Sequence, residues 1–356
     1  MTFKQVNRLW WSQSWHWLLG FVAVILLIGM GTAVKTTQLQ AQQVQQTPQL
    51  RISQAQDYQK HPENYRLNGK QVTLAAYWVA QNQFFQKDQF KVHDYQLRTD
   101  VAPNVWFYLV TLIVGLILAF WGRRTHYAEL LFSLGVTRTQ LFVTQLGQGL
   151  AVVASVLVAQ MLHWLWIILV IPERYQIYRD LPGLIENSLV VVMISLGLLI
   201  LGWFMGQLTD RFWLAGLLAG LSWRFIAGLW SNAGYAALFF GEEAASPESW
   251  VDAHAVVTSG IIAGVTLVGI GLIWRLSLTW SAERTGAYRP TGLQQWLLVG
   301  VMTIAGGSLI GDFLLRPFMM SVLPWYEIIG MIVLLGILLV GVNYQRYRSV
   351  EVRHGA

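Results

Sequence analysis

Long apolar runs separated by short polar loops make up most of this 356-residue chain. A helix needs roughly 20 mostly apolar residues to cross the hydrocarbon core of a bilayer, and about eight segments approach that length. They lie at residues 17–34, 104–121, 141–171, 188–208, 212–230, 255–276, 295–315 and 325–343. No small-residue cleavage site follows the first run, so we expect a retained helix there. The pattern predicts an all-α polytopic membrane protein with about eight transmembrane helices.

Residues 35–103 differ from the rest because they are largely polar. A glutamine-rich run, "QLQAQQVQQTPQ", is too polar to bury and predicts a flexible or helical stalk. Asn68-Gly69 is a pair typical of hairpin turns, and "QFKVHDYQLR" is a second candidate strand. Alternating apolar positions follow that turn at Val72, Leu74, Ala76 and Trp78. We expect a small, partly β extracytoplasmic insert between helices 1 and 2.

Composition agrees with the membrane class, with 55% hydrophobic and 12% charged residues and a mean hydropathy of +0.46. The 18 Trp residues are candidate anchors at the two bilayer interfaces. The excess of cations is scattered over loops and not gathered on one face, which argues against nucleic-acid binding. The absence of cysteine excludes disulfides and thiolate chemistry.

The cations are distributed unequally between alternate loops. Those on one side are Lys4, Arg8, Arg123, Arg124, Arg138, Arg211, Arg275, Arg284, Arg289, Arg346, Arg348 and Arg353, whereas the short loops on the other side hold only Arg174, Arg179 and Arg316. Cytoplasmic loops carry such an excess, so both termini are predicted in the cytoplasm of a multi-pass cell-membrane protein. The predicted organisation is an N-terminal elbow and first helix (1–34), the insert (35–103), the second helix (104–121), a cytoplasmic loop (122–140), helices three to eight (141–343) and a tail (344–356).

That cytoplasmic loop reads "RRTHYAELLFSLGVTRTQLF" from residue 123 to residue 142. Tyr127, Leu130, Leu131 and Leu134 have the spacing of one apolar helix face, and Gly135 is placed to end the helix. Thr137 with Gln140 predicts a capping box for the next helix, and Val136 with Leu141 predicts a hydrophobic staple. The loop thus predicts a short interfacial helix that leaves Glu129 and the arginines available to a partner. The alternative is that Arg123 and Arg124 only anchor the topology and bind no partner.

The segment "AELLFSLGVTRTQLFVTQL" resembles the first intracellular loop of ABC-2-type transporter permeases. In that family the loop is a coupling helix that docks into a cleft of the cytoplasmic ATPase. The N-terminal "MTFKQVNRLWWSQSWHW", with Phe3, Val6, Leu9 and Trp10 on one face, resembles the family's elbow helix. Gly135 replaces the usual proline, and "THYA" replaces the usual Gly-Thr. The resemblance implies ATPase coupling by Arg123, Arg124, Glu129, Leu130, Leu131, Leu134, Gly135 and Arg138.

The resemblance implies a permease subunit of an ABC exporter. The chain contains no "GxxxxGK[ST]" phosphate-binding loop. ATP and Mg²⁺ are therefore expected on a separate cytoplasmic ATPase, and this chain is expected to be neither an enzyme nor a cofactor binder. A second permease copy or paralogue and membrane lipids are the other expected partners.

Among the polar residues inside predicted crossings, Arg224 and His163 need an explanation. Arg224 lies near the middle of the fifth, where an arginine costs at least a few kcal/mol unless it faces protein or water. A structural ion pair with Asp312, Glu327 or Glu186 is preferred over a substrate contact. His163 is predicted to be a hydrogen-bonded interior histidine and not a metal ligand.

Three alternatives belong to other classes. FtsX-like permeases, with a transmitting role, have a similar "LGATRRQI" loop but a longer spacing from glutamate to glycine. CPBP-type intramembrane proteases have a glutamate pair, matched here by Glu242 and Glu243, but the arginine that follows it in that class is missing. An ATP-independent receptor or immunity protein is the third alternative.

Overall fold

A computed structural model of the protein describes residues 2–67, 70–82, 85–86, 96–97, 105–176, 181–239, 255–279, 292–310 and 329–339. Its helices are α1 (Phe3–Lys60), α2 (Leu74–Gln81), α3 (Val105–Arg124), α4 (Tyr127–Ser133), α5 (Arg138–Val170), α6 (Leu181–Leu208), α7 (Phe212–Phe239), α8 (Ala255–Thr279), α9 (Gly292–Val301), α10 (Gly307–Ile310) and α11 (Ile329–Leu339). A π-helical turn, Met302–Gly306, joins α9 to α10. The strands are β1 (Arg66–Leu67), β2 (Lys70–Gln71), β3 (Phe85–Gln86) and β4 (Gln96–Leu97).

Six helical segments in the described part of the chain are long and apolar enough to cross a membrane. They are Phe3–Gln45, Val105–Arg124, Arg138–Val170, Ser188–Leu208, Ser259–Leu278 and Leu293–Ile310. Two shorter apolar helical segments, Phe212–Ile226 and Ile329–Leu339, coincide with the predicted fifth and eighth crossings. The protein is therefore an all-α membrane protein in its main part, and the predicted count of eight crossings stays a prediction.

The core of the bundle is the contact between α3 and α6, which pack backbone to backbone. A Cβ atom on Gly115 of α3 would overlap the Leu199 carbonyl, and one on Gly202 of α6 would overlap the Leu112 carbonyl. Small residues allow this close packing, which is important in lipid because the hydrophobic effect does not drive helices together there. Next to them Trp203 is fully buried and stacks on Phe142 of α5 with ring centroids 5.3 Å apart. Helices α3, α5 and α6 are thereby held as one unit.

Helix α1 packs along α5 and then continues beyond it. Its 58 residues correspond to about 87 Å at 1.5 Å per residue, against a hydrocarbon thickness of about 30 Å. The glutamine-rich run, predicted as flexible or helical, is helical and belongs to α1. One continuous helix thus connects the end of the bundle that carries α4 (the α4 end) to the segment that follows Lys60.

The structure corrects one strand of the predicted insert. β1 and β2 pair antiparallel on either side of residues 68 and 69, which lie outside the described residues. The expected strand beyond them is instead the helix α2, whose Thr73 side chain accepts from the Ala76 backbone N–H at 3.3 Å. Alanine, leucine and glutamine in "LAAYWVAQ" favour a helix once such a cap is present. β3 pairs with β4, and β4 is the only described part of "QFKVHDYQLR".

Candidate functional site

The short helix α4 lies at one end of the bundle, joined to α3 by two residues. Thr125 extends the hydrogen bonding of α3 by donating its N–H to the Trp121 carbonyl at 3.1 Å. His126 then takes a left-handed conformation with φ of 54°, which is uncommon for a residue with a Cβ. Its Nδ1 atom lies 3.1 Å from the Glu129 carboxylate. The chain therefore turns sharply before α4 begins at Tyr127, two residues beyond Thr125, the first position at which the sequence allows the helix to start.

The end of α4 confirms the predicted glycine stop. Gly135 has φ of +82°, a conformation that glycine adopts without steric cost. The Gly135 N–H donates to the Phe132 carbonyl at 3.0 Å, and the Val136 N–H donates to the Leu131 carbonyl at 3.0 Å. These two bonds are those of a Schellman motif, which satisfies the last carbonyls of a helix.

The start of α5 confirms the predicted capping box. Thr137 donates its N–H to the Gln140 side chain at 2.9 Å, and Gln140 donates its N–H to the Thr137 hydroxyl at 3.2 Å. Val136 and Leu141, the predicted staple, are buried in one apolar cluster. Because both ends of the turn are fixed, α4 and α5 keep a defined angle.

The inner face of α4 packs against the N-terminal part of α1. Leu131 is fully buried and Ala128 nearly so, in a cluster with Val6 and Trp10. This confirms the amphipathic character predicted for the first residues, except that Phe3 is 46% exposed. The first turns of α1 and α4 are therefore one packed unit, but α1 runs unbroken from Phe3 to Lys60, so the predicted separate elbow helix before the first crossing is not present.

Hydrogen bonds reinforce this packing through a buried network that the sequence reasoning missed. The Trp10 indole N–H donates to the Gln148 side-chain oxygen at 2.8 Å, and the Gln148 amide donates to the Ser14 hydroxyl at 2.7 Å. Tyr127 donates its hydroxyl to the Leu9 carbonyl at 3.0 Å, and burial raises the pKa of this phenol. A glutamine inside the apolar run 141–171 was the available signal, since polar side chains within crossings bond other helices.

The outer face of α4 is apolar and open. Leu130 and Leu134 are 53% and 51% exposed, and Glu129 beside them is partly exposed. The three leucines therefore do not share one outward face as predicted. Leu130 and Leu134 are on the outside, whereas Leu131 packs inside the chain and cannot contact a partner. Two half-exposed leucines on so short a helix form a compact apolar contact surface at the α4 end.

The structure places the three arginines of this loop in different environments. Arg123 is buried, and its guanidinium donates to the Ala119 carbonyl at 2.7 Å and to the Gly206 carbonyl, and lies 3.4 Å from Asp210. It ties α3 to the end of α6 and is too buried to contact a protein docked on α4, contrary to our expectation. Arg124 is exposed, while Arg138 is exposed and donates to the Leu278 carbonyl of α8.

The predicted intramembrane groups lie away from α4. Arg224 has an exposed side chain on α7, and two of its predicted partners, Asp312 and Glu327, lie outside the described residues, as does the side chain of Glu186. His163 is buried, its ring is hydrogen-bonded to the Gly29 backbone, and its Nε2 atom has no partner among the described groups. No cluster of metal-ligand side chains occurs in the described ranges.

Comparison with known proteins gives no independent assignment. No protein-family model, curated protein or solved structure matches this chain. The geometry of α4, with one face locked into the bundle and the other open, is therefore the main observation on which a function can be argued.

Proposed function

We propose that the chain is the transmembrane permease subunit of an ABC exporter, driven by a separate cytoplasmic ATPase that binds ATP and Mg²⁺. In this proposal α4 is the docking element for the ATPase. The chain crosses the cell membrane about eight times with both termini inside, carries a small partly β extracytoplasmic insert, and pairs with a second permease subunit.

The observation that carries the proposal is the two-sided character of α4. A helix that serves only as an interfacial anchor needs an apolar face towards lipid, and its position relative to the bundle can vary. Here the inner face is buried against α1, and both ends are fixed by specific hydrogen bonds. Leu130 and Leu134 remain open on the outside. A rigidly mounted, compact apolar surface suits a helix that seats in a groove of another protein.

The mounting also explains how movement of a docked partner would reach the membrane helices. A displacement of α4 acts on α5 through the fixed turn at Gly135 and Thr137. It acts on α1 through Leu131, Trp10 and the bond from Tyr127 to Leu9. Because packed elements move as units and deform little, both helices would follow α4.

The FtsX-like alternative, in which motion is transmitted and no substrate is moved, has its own support. α1 is continuous from the α4 contact to the stalk. At its far end Gln54 accepts from the Trp78 indole, and Tyr65 donates to Asp57 at 3.1 Å. A helix held at both ends can carry motion across a membrane, and distance measurements between the stalk and α4 during ATP turnover would distinguish the two roles.

The test uses the complex purified with its ATPase by an affinity tag on this chain. Leu130→Asp with Leu134→Asp, or Glu129→Arg, should weaken the complex at least about tenfold and abolish stimulated ATP hydrolysis. Partial burial of two leucines in a groove is worth more than the 1.4 kcal/mol that a tenfold change represents. Leu130 and Leu134 are about half exposed and Glu129 is partly exposed, so membrane insertion and folding of the variants should persist.

Two controls are matched to these variants. Leu130→Met with Leu134→Met keeps the surface apolar, and Glu283→Arg makes the same charge change in another predicted cytoplasmic loop. Both should retain the ATPase. If the aspartate pair and Glu129→Arg keep full coupling, α4 is an interfacial anchor and the permease proposal loses its main support.

A further inference from the structure

A second feature of the α4 end is a cavity behind α4, enclosed by α3, α5, α6 and α8. Its volume is about 40 Å³, room for a few water-sized groups. Arg138 at its edge is exposed, and Gln145 and Ser277 are partly exposed. The cavity is therefore accessible from outside the bundle.

The polar lining of this cavity is cationic. Arg123 and Arg138 contribute guanidinium groups, and Gln145, Gln207 and Ser277 contribute amides and a hydroxyl. No carboxylate is among the described residues that line it. The guanidinium and amide groups can donate hydrogen bonds to an anion with several acceptor oxygens, whereas the hydroxyl proton of Ser277 is already donated to the Trp274 carbonyl at 2.7 Å.

Arg123 retains capacity for such a ligand. Its side chain is 11% exposed, and three of its nitrogens contact Ala119, Gly206 and Asp210. A guanidinium has five N–H donors, so these contacts do not exhaust it. Asp210 lies 3.4 Å away with its side chain 36% exposed and faces solvent as well as the arginine. Because the carboxylate beside this buried cation is partly solvated, a second anion would stabilise the guanidinium further.

The level of the cavity relative to the bilayer indicates which kind of anion it would meet. Arg123, Arg138, Gln207 and Ser277 lie within two residues of an end of four different candidate membrane spans. These ends lie at the level where a bilayer changes from acyl chains to headgroups. The rest of the lining includes Leu141 and Phe142, which are apolar.

We propose that this cavity binds the phosphodiester headgroup of an anionic phospholipid, with the acyl chains leaving along the bundle. Basic pockets between transmembrane helices at the cytoplasmic side are suited to such headgroups. The bound lipid would connect α5 to α8 behind the docking helix. The inference concerns lipid binding alone and stands whether or not an ATPase docks on α4.

The experiment is native mass spectrometry of the detergent-purified full chain, titrated with phosphatidylglycerol or phosphatidylcholine of identical acyl chains. One phosphatidylglycerol should be retained at least about tenfold more strongly than phosphatidylcholine, as expected for charge-assisted hydrogen bonds. Inorganic phosphate at millimolar concentration is added in a third arm to separate a lipid from a free anion.

Two variants locate the site, and a third is their control. Arg138→Gln removes one donor group, and Ser277→Phe fills the cavity while keeping both guanidinium groups. Both should reduce phosphatidylglycerol retention to the phosphatidylcholine level. Arg275→Gln removes the same charge from an exposed position on α8 that does not line the cavity, and it should retain the lipid. Thermal unfolding of each variant verifies that it is folded.

Equal retention of the two lipids would overturn the proposal. An equal loss for Arg138→Gln and Arg275→Gln would do the same, because it would indicate diffuse attraction to the cationic end. If inorganic phosphate displaces phosphatidylglycerol and stabilises the protein as well as the lipid does, the ligand is a free anion.

Discussion

Replacing Gln148 with leucine tests whether the first turns of α1 are tied to α5 by hydrogen bonds or only by apolar packing. Gln148 is fully buried, accepts from Trp10 at 2.8 Å and donates to Ser14 at 2.7 Å. Leucine has a similar volume and can make neither bond. Ser14 keeps a partner, because its hydroxyl donates to the Trp10 carbonyl at 2.8 Å. The indole N–H of Trp10 loses its acceptor.

The expected cost follows from these contacts. Hydrogen bonds between membrane helices average about 0.6 kcal/mol and reach about 1.7. A buried donor left without a partner costs about 1–3 kcal/mol. We therefore expect Gln148→Leu to lower the free energy of unfolding by about 2 kcal/mol. Trp10→Phe should cost a similar amount, because it leaves the Gln148 oxygen unpaired and reduces apolar contact.

The double variant makes the argument decisive. When Trp10→Phe is combined with Gln148→Leu, no orphaned indole N–H or amide remains. The total loss should therefore be smaller than the sum of the single losses by about 1 kcal/mol, well above the deviation of about 0.3–0.5 kcal/mol seen for independent sites.

The assay is reversible unfolding of the purified chain in mixed micelles, followed by circular dichroism. Trp166→Phe is the control, since its indole donates to the Thr37 hydroxyl at 3.4 Å, a longer and only partly buried bond. It should cost less than either single variant. Strict additivity of Trp10→Phe and Gln148→Leu would refute the reasoning and indicate that apolar packing alone holds the first turns of α1 against α5.

Two further predictions concern the turn and the topology. Gly135→Ala should destabilise the α4–α5 turn by about 1–2 kcal/mol, because a positive φ is strained for alanine even though no atom lies within 4 Å of its Cβ. Gly135→Asn should destabilise the turn less. An unchanged melting temperature for Gly135→Ala would contradict this prediction. A single cysteine at Gln83 should be labelled by an impermeant reagent from outside, and one at Gly286 only after the membrane is opened; the reverse pattern would invert the proposed orientation.

The sequence alone was sufficient for features decided by near neighbours or by bulk composition. Apolar runs of sufficient length identified the membrane helices, because the bilayer sets that length for any chain. Gly135, Thr137 and Gln140 correctly predicted the turn after α4, because capping bonds join residues two to five positions apart. Such signals are fully contained in a short window of sequence.

Short periodicities were less informative. The alternation from Val72 to Trp78 spans too few positions to distinguish a strand from a helix, and a cap at Thr73 decided for the helix α2. On α4, the leucine spacing correctly placed three side chains on a broad arc. It did not show that Leu131 would face α1 while Leu130 faced outward, because successive residues differ by about 100° around a helix.

Only the tertiary structure decided the roles of Arg123, Gln148 and Leu131. Arg123 is buried because the Gly206 carbonyl and Asp210, more than 80 positions along the chain, come to lie beside it. Gln148 bonds Trp10 across 138 positions, and Leu131 packs on Val6. The exposure of a side chain depends on which elements, distant in sequence, pack against it, and this is determined by how the helices are arranged. Composition and spacing therefore located the candidate docking loop, while packing determined which of its side chains are exposed.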